Sequence, residues 1–168
     1  GSYSYLAIHK YFARRATSIT EVGCKGFKEI IDAVETGKAD FAALPIENTS
    51  SGSINEVYDL LQHTSLSIIG EQTVPVEHSL LVSQNTSLEQ IKTLYAHSQP
   101  YAQCSLFTAT MDNIDTIYSD STSSAMAKVA QLDDPTVAAI GSPAGGKYYG
   151  LQALKTGIAN QQENFSRF

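Results

Sequence analysis

Short apolar segments alternate with amphipathic helix-length segments along most of the chain, and this alternation restricts the fold more than any other feature. Helices are predicted at 3–12, 27–34, 54–61, 100–111 and 122–132, and buried strands at 39–44, 79–82, 91–95, 114–118 and 137–140. Strands that alternate with helices are typical of an α/β fold with a largely parallel sheet. We therefore expect an α/β protein.

Two extended segments, 71–78 and 157–164, interrupt the alternation. We interpret them as crossovers between two lobes, with lobe 1 at about 1–75 and 157–168 and lobe 2 at about 76–156. Ligands of such folds bind beyond the carboxyl ends of strands or between domains. A sheet of this kind normally begins with one apolar strand before the first residue here and continues with another after the last. The sequence is therefore expected to be an incomplete domain.

Composition argues against two classes of partner. The net charge is −6 and no Lys/Arg cluster is present, so a nucleic-acid partner is not expected. No apolar run approaches the roughly 20 residues that cross a bilayer, and no signal peptide opens the chain. Cys24 and Cys104 match no metal or redox spacing and are predicted to be reduced, buried thiols of a cytoplasmic enzyme. An anionic small ligand remains compatible with the acidic charge, because a cleft can be locally positive.

Four turns rich in hydroxyl and amide groups each follow a predicted strand and lead into a helix. Helix N-termini present free backbone N–H groups and a positive dipole end, which favour anions. Together the turns predict a site for a polar anion. They lie at 44–53, 95–104, 120–124 and 141–146.

The first of these turns contains Glu47, Asn48, Ser51 and Gly52. Taken alone, it is equally well explained as a capping turn in which Ser53 begins the next helix. The second turn is, by itself, equally compatible with a solvated loop.

A phosphate-loop frame, GxxxxGK, is present at 141–147, but Tyr148 stands where the motif requires a Ser or Thr for magnesium. A nucleotide site is therefore not expected. The four histidines form neither a metal spacing nor a catalytic triad, so no cofactor is expected.

The last five residues, 164–168, place the Ser166 hydroxyl beside the Arg167 guanidinium in sequence. An arginine can hold a carboxylate through two parallel hydrogen bonds, and a neighbouring hydroxyl can donate a proton to a leaving group. The alternative is a polar turn closed by Phe168.

Four segments resemble the dehydratase domain of the bifunctional chorismate mutase–prephenate dehydratase family, and the similarity covers essentially all 168 residues. The resemblance implies two lobes around a cleft, similar to type II periplasmic solute-binding proteins. It implies conversion of prephenate, a dianion, to phenylpyruvate, water and carbon dioxide in phenylalanine synthesis without a cofactor. It also implies that this sequence holds neither the mutase domain nor the ACT domain. The segments are GSYS at 1–4, PIENTSSG at 45–52, VYDLLQHTSLSIIGE at 57–71 and NFSRF at 164–168.

The resemblance also implies roles for ten residues. Ser166 stands where the family has the Thr of its Thr-Arg-Phe acid, and Ala96-His97-Ser98 stands where the family has Ser-His-Pro. The implied catalytic residues are Ser166, Arg167, Glu47, Asn48 and Gln103, and the implied substrate-binding residues are Ser2, Ser51, Gly52, His97 and Phe168.

A rival hypothesis is a two-lobed anion-binding module that holds a carboxylate without reacting it. Lobes and hydrogen-bond donors serve both functions, so the fold does not separate them. The Ser166–Arg167 pair together with Glu47 favours the enzyme. The sequence leaves a homo-oligomer open.

Overall fold

A computed structural model describes residues 2–15 and 18–168 of the chain. A single 3₁₀ turn lies at Leu88–Gln90 within them. The helices are α1 Tyr3–Phe12, α2 Phe27–Glu35, α3 Asn55–Gln62, α4 Ser98–Gln103, α5 Ser105–Thr108, α6 Thr122–Leu132 and α7 Pro143–Tyr148. The strands are β1 Glu47–Asn48, β2 Gly52–Ser53, β3 Thr73–Pro75, β4 Ser79–Val82, β5 Thr93–Ala96, β6 Asp115–Tyr118, β7 Val137–Gly141, β8 Gln152–Lys155 and β9 Phe165–Arg167.

The chain forms two compact units, and each has its own sheet. The split unit comprises Tyr3–Pro75 and Glu163–Phe168, and the middle unit comprises Val76–Gln162 together with Ser2. The α/β class predicted from the sequence is confirmed. No helix among the described residues is long and apolar enough to cross a membrane.

The split unit contains an antiparallel sheet in the order β2-β1-β9-β3. Strand β9, from the last residues of the chain, lies between β1 and β3, so residues distant in sequence meet in its centre. Its helices bury small or branched residues that follow the helical period, including Ala7, Ile31 and Val57. Helix α2 ends where expected, because Gly37 adopts a left-handed φ of 74° just beyond it.

The middle unit contains a sheet in the order β6-β5-β7-β4-β8. Strand β5 pairs in parallel with both β6 and β7, whereas β4 pairs antiparallel with β7 and β8. Helix α6 covers one face through Met126 and Val129, and Cys104 belongs to the apolar cluster on the other. Strands β4 and β7 are therefore buried on both faces, which explains why each is almost wholly apolar.

The glycines of the phosphate-loop frame serve packing. Ser142 caps α7 by accepting a hydrogen bond from the N–H of Gly145 at 3.0 Å. A Cβ atom on Gly145 would lie 2.5 Å from Cε of Met126, and one on Gly146 would lie 2.8 Å from Cδ2 of Leu81. Both contacts are too short for an unshifted core, so the glycines let α7 approach α6 and β4 closely.

Four predictions of local structure are wrong. Residues 39–44 form no strand, because no strand among the described residues pairs with them, and Phe41 is 53% exposed. The sheets are not largely parallel, since only the two pairings of β5 are parallel among those described. Cys24 is half-buried, although Cys104 is fully buried as expected.

The fourth wrong prediction is a single helix at 100–111, which is interrupted at Cys104 and replaced by α4 and α5. The side chain of Asn160 causes the interruption. Its Oδ1 accepts the N–H of Leu106 at 3.0 Å, and its Nδ2 donates to Oγ of Ser105 at 2.9 Å. An N–H group that bonds to a side chain no longer extends the helical ladder.

Candidate active site

Asn48 organises the hairpin turn between β1 and β2. Its Oδ1 accepts hydrogen bonds from the backbone N–H groups of Ser50 and Ser51, at 3.0 and 3.1 Å, and from Oγ of Ser51 at 3.1 Å. Asparagine side chains commonly stabilise turns through local hydrogen bonds of this kind. Gly52 completes the turn with a φ of 77°, which an L side chain rarely adopts.

The Nδ2 of Asn48 connects that turn to β9. It donates to Oγ of Ser166 and to Oδ1 of Asn164, both at 2.9 Å, and lies 3.2 Å from the carbonyl oxygen of Phe165. Asn48 is 8% exposed and Asn164 is 3% exposed. These bonds join residues more than 100 positions apart in sequence into one polar cluster, composed of Asn48, Ser51, Asn164 and Ser166.

Arg167 belongs to a different group on the opposite face of the sheet. Its Nε donates to Oε2 of Glu71 at 3.0 Å, and Nη1 lies 3.6 Å from Oε2 of Glu47. In the sheet, Arg167 lies opposite Glu47 on one side and Thr73 on the other. The charged side chains of this group, those of Arg167, Glu47 and Glu71, are about half exposed or more. Exposed ion pairs of this kind contribute at most about 1 kcal/mol each, so they orient the guanidinium more than they stabilise the unit.

Strand geometry separates two side chains that the sequence places together. Successive side chains of a strand point to opposite faces, and Ser166 and Arg167 are consecutive in β9. Ser166 pairs with Asn48 and Val74, whereas Arg167 pairs with Glu47 and Thr73. The hydroxyl and the guanidinium are therefore neighbours in sequence but extend from opposite faces of the sheet.

The middle unit holds a second polar group around Gln103. Nε2 of His78 donates to Oε1 of Gln103 at 2.6 Å, and the backbone oxygen of Gln103 accepts the N–H of Asn160 at 2.7 Å. His78 is 1% exposed. Burial lowers the pKa of His78, and the hydrogen bond to Gln103 offsets part of this shift. The imidazole is therefore neutral at pH 7 and fixes the direction of the Gln103 amide.

Three other predicted site residues lie at or next to the ends of helices or strands. His97 begins α4, where its carbonyl oxygen accepts the N–H of Tyr101 at 3.1 Å, and its side chain is half-buried. Phe168 exchanges two backbone hydrogen bonds with Gln72, both at 2.9 Å. Ser2 is exposed and directly precedes α1.

Three of the four predicted polar turns do lie at one sheet edge. Strands β5, β6 and β7 run parallel, so the turns that follow them leave the same edge of the sheet in the middle unit. The turn at 44–53 instead joins two antiparallel strands of the split unit. The capping alternative for this turn is also wrong, because α3 begins after Ile54 without a side-chain cap.

Sequence reasoning missed His78, Asn160 and Asn164 as organising residues. Each acts through a partner distant in the chain, and no local spacing marks such a partner. Of the three, only Asn164 lies in a family-like segment, NFSRF, and so carried a sequence signal. No group of three or more His, Cys, Asp or Glu side chains suited to a metal ion is found in residues 2–15 and 18–168. Burial raises the pKa of the Cys104 thiol to about 12, so this thiol is not a nucleophile at neutral pH.

Within this α/β fold, the split unit holds a hydroxyl- and amide-rich group around Asn48, and the middle unit holds a separate polar group around Gln103. The model of the family described as prephenate dehydratase matches residues 1–168. The chain therefore belongs to the prephenate dehydratase family, and the resemblance seen in its sequence is confirmed.

Comparison with individual curated proteins gives the same family. The bifunctional chorismate mutase/prephenate dehydratase of Escherichia coli strain K12 is 56% identical over 168 residues, which are 100% of this chain and 44% of that protein. The chain thus spans less than half the length of the curated relatives it matches.

Solved structures agree in fold along the whole chain. A prephenate dehydratase from Arthrobacter aurescens, in complex with L-Phe, has a TM-score of 0.85 and 27% identity, and the match covers 100% of this chain and 56% of that one. A structure described as GqqA, a novel type of quorum quenching acylase, has a TM-score of 0.83 and 28% identity over 100% of this chain and 59% of that one.

Proposed function

We propose that residues 1–168 form a prephenate dehydratase catalytic domain with two lobes, which converts prephenate to phenylpyruvate, water and carbon dioxide. One observation carries the proposal beyond family membership. The Ser166 hydroxyl accepts an N–H from the buried Asn48 amide, and no described residue accepts its own proton. We propose that a hydroxyl held in this way donates its proton to the substrate.

The chemistry suits such a donor. When the ring carboxylate leaves as carbon dioxide, its bonding electron pair completes the aromatic ring and expels the ring hydroxyl. That hydroxyl needs one proton to depart as water, and Ser166 supplies it. The N–H of Asn48 points at Oγ of Ser166, so it stabilises the negative charge that develops there as the proton leaves. Solvent then returns a proton to Ser166.

The other site residues are proposed to bind the substrate dianion. Arg167 is the candidate for gripping a carboxylate. This role requires its guanidinium to exchange Glu71 or Glu47 for the ligand and, because Arg167 starts from the face of β9 opposite Ser166, to reach past the strand toward the substrate. Because the His78 N–H bonds to the oxygen of the Gln103 amide, Gln103 presents its NH₂ group as a donor. The remaining proposed substrate contacts are Ser2, Ser51, Gly52, His97 and Phe168, with Glu47 and Asn48 beside Ser166 and Arg167.

The reaction as proposed needs no metal or cofactor, because carbon dioxide loss and aromatisation supply the driving force. We also propose a cytoplasmic protein that has no nucleic-acid or membrane partner and that can form a homo-oligomer.

A direct assay tests this function. The protein is incubated with prephenate in the presence of a chelator, and phenylpyruvate is followed by its ultraviolet absorbance in alkali. We expect turnover that chelation leaves unchanged. Tight prephenate binding without turnover would instead identify an anion-binding module. Release of an amine from an N-acylated substrate, measured in parallel, would favour the acylase activity that one similar structure is described as having.

A further inference from the structure

The orientation of the Asn48 amide follows from groups whose roles are unambiguous. Its Oδ1 faces the backbone N–H groups of Ser50 and Ser51, which only donate. Its Nδ2 lies 3.2 Å from the backbone oxygen of Phe165, which only accepts. The amide nitrogen therefore points toward β9, and one of its N–H groups is donated to Oγ of Ser166.

This orientation settles the role of Asn164. The atom of Asn164 that lies 2.9 Å from Nδ2 of Asn48 must be its oxygen, since two NH₂ groups would repel each other. Each amide nitrogen has two hydrogens. Oδ1 of Asn164 accepts one N–H of the Asn48 amide, and Oγ of Ser166 accepts the other. Asn164 is 3% exposed, so water does not readily replace it as the acceptor.

We propose that Asn164 is a positioning residue for the proposed dehydration: it holds the Asn48 amide so that Asn48 donates to Ser166 and leaves the Ser166 proton for the substrate. This inference rests on the proposed function. Without the Asn164 oxygen, the nearest remaining acceptor for that N–H is the carbonyl oxygen of Phe165. The amide then tilts toward Phe165 and away from Ser166, and the hydroxyl loses both its direction and the stabilisation of its charge.

Two substitutions separate positioning from simple stability. Asn164→Ala removes the acceptor, and a misplacement on the scale of an ångström lowers the rate by up to about 10²-fold. We expect kcat to fall by roughly tenfold to a hundredfold with little change in KM. Asn164→Asp keeps an acceptor oxygen at the same place, so it should recover most of that loss. Val57→Ala, in the fully buried core of the same unit, is the matched control: it lowers stability and should keep kcat near the wild-type value.

A double-mutant cycle identifies the route of the effect. If Asn164 acts through Ser166, adding Asn164→Ala to Ser166→Ala should lower kcat no further. Fully additive losses, or equal kcat values for Asn164→Ala and Val57→Ala, would overturn the inference.

A spectroscopic measurement keeps the inference testable if the proposed function fails. The side-chain NH₂ signals of Asn48 in a ¹⁵N-correlated NMR spectrum should shift in Asn164→Ala and stay in place in Val57→Ala. Absence of prephenate turnover in the wild-type chain would reject the proposed function and, with it, the catalytic role of Asn164. Unchanged Asn48 signals in Asn164→Ala would reject the positioning of Asn48 by Asn164.

Discussion

Replacing Ser166 with alanine removes one hydroxyl and leaves the polar cluster around it otherwise intact. The buried Nδ2 of Asn48 loses Oγ of Ser166 but keeps Oδ1 of Asn164 at 2.9 Å and the oxygen of Phe165 at 3.2 Å. No buried donor is left without a partner. The free energy of unfolding should therefore fall by about 1 kcal/mol or less, the usual net value of one hydrogen bond.

Turnover should respond much more strongly. A positioned general acid contributes roughly 10²–10⁴-fold to a rate, which corresponds to about 3–5 kcal/mol of transition-state stabilisation. Substrate affinity should change far less, because the hydroxyl acts on the leaving group. Ser166→Thr should retain or raise turnover, since it keeps the hydroxyl, restricts its rotamers and restores the residue of the family.

The assay compares kcat and KM for prephenate in wild type, Ser166→Ala and Ser166→Thr, with urea unfolding of each protein. Ser67→Ala, an exposed serine of the same unit, serves as the control. Near-normal turnover in Ser166→Ala would refute the reasoning and move the acid to another group, with Glu47 the next candidate. Loss of activity matched by loss of folded protein would show that the hydroxyl is structural.

Three further predictions use other parts of the molecule. Arg167→Lys should raise KM for prephenate more than the exposed control Arg14→Lys, because lysine lacks the planar fork that grips a carboxylate twice; equal kinetics would limit Arg167 to a structural role. Since burial lowers the pKa of His78, the free energy of unfolding should fall as pH drops below about 6.5, by at most about 1.4 kcal/mol per pH unit. His78→Gln should flatten that dependence in urea melts, and an identical slope would contradict the assignment. A thiol reagent should label Cys24 in the folded protein and Cys104 only after unfolding; prompt labelling of both would contradict the burial of Cys104.

Elements with a strong local pattern could be predicted from the sequence. Helices α1 and α6 and strand β4 have the predicted bounds, and β7 is one residue longer. In these segments periodicity and apolar content favour the same structure, and α6 is further fixed by Ser121, which caps it by accepting the N–H of Ser124.

Features that depend on distant partners could not be predicted. The break at Cys104 requires Asn160, more than 50 residues away, and residues 39–44 remain irregular because strand formation needs a neighbouring strand. The site follows the same rule. The identities of Asn48 and Ser166 were recognised from their motifs, but the strand that separates Ser166 from Arg167 becomes evident only in the structure.

The position of β9 between β1 and β3 has a consequence for synthesis of the chain. Residues 163–168 leave the ribosome after the whole of the middle unit, so the middle unit can fold while the split unit still lacks an inner strand. Until β9 arrives, β1 and β3 each present an unpaired edge, and such edges can pair with other chains. A late strand that joins distant segments also raises contact order and slows folding. The nascent protein should therefore be most prone to aggregation just before the residues that carry its proposed acid are added.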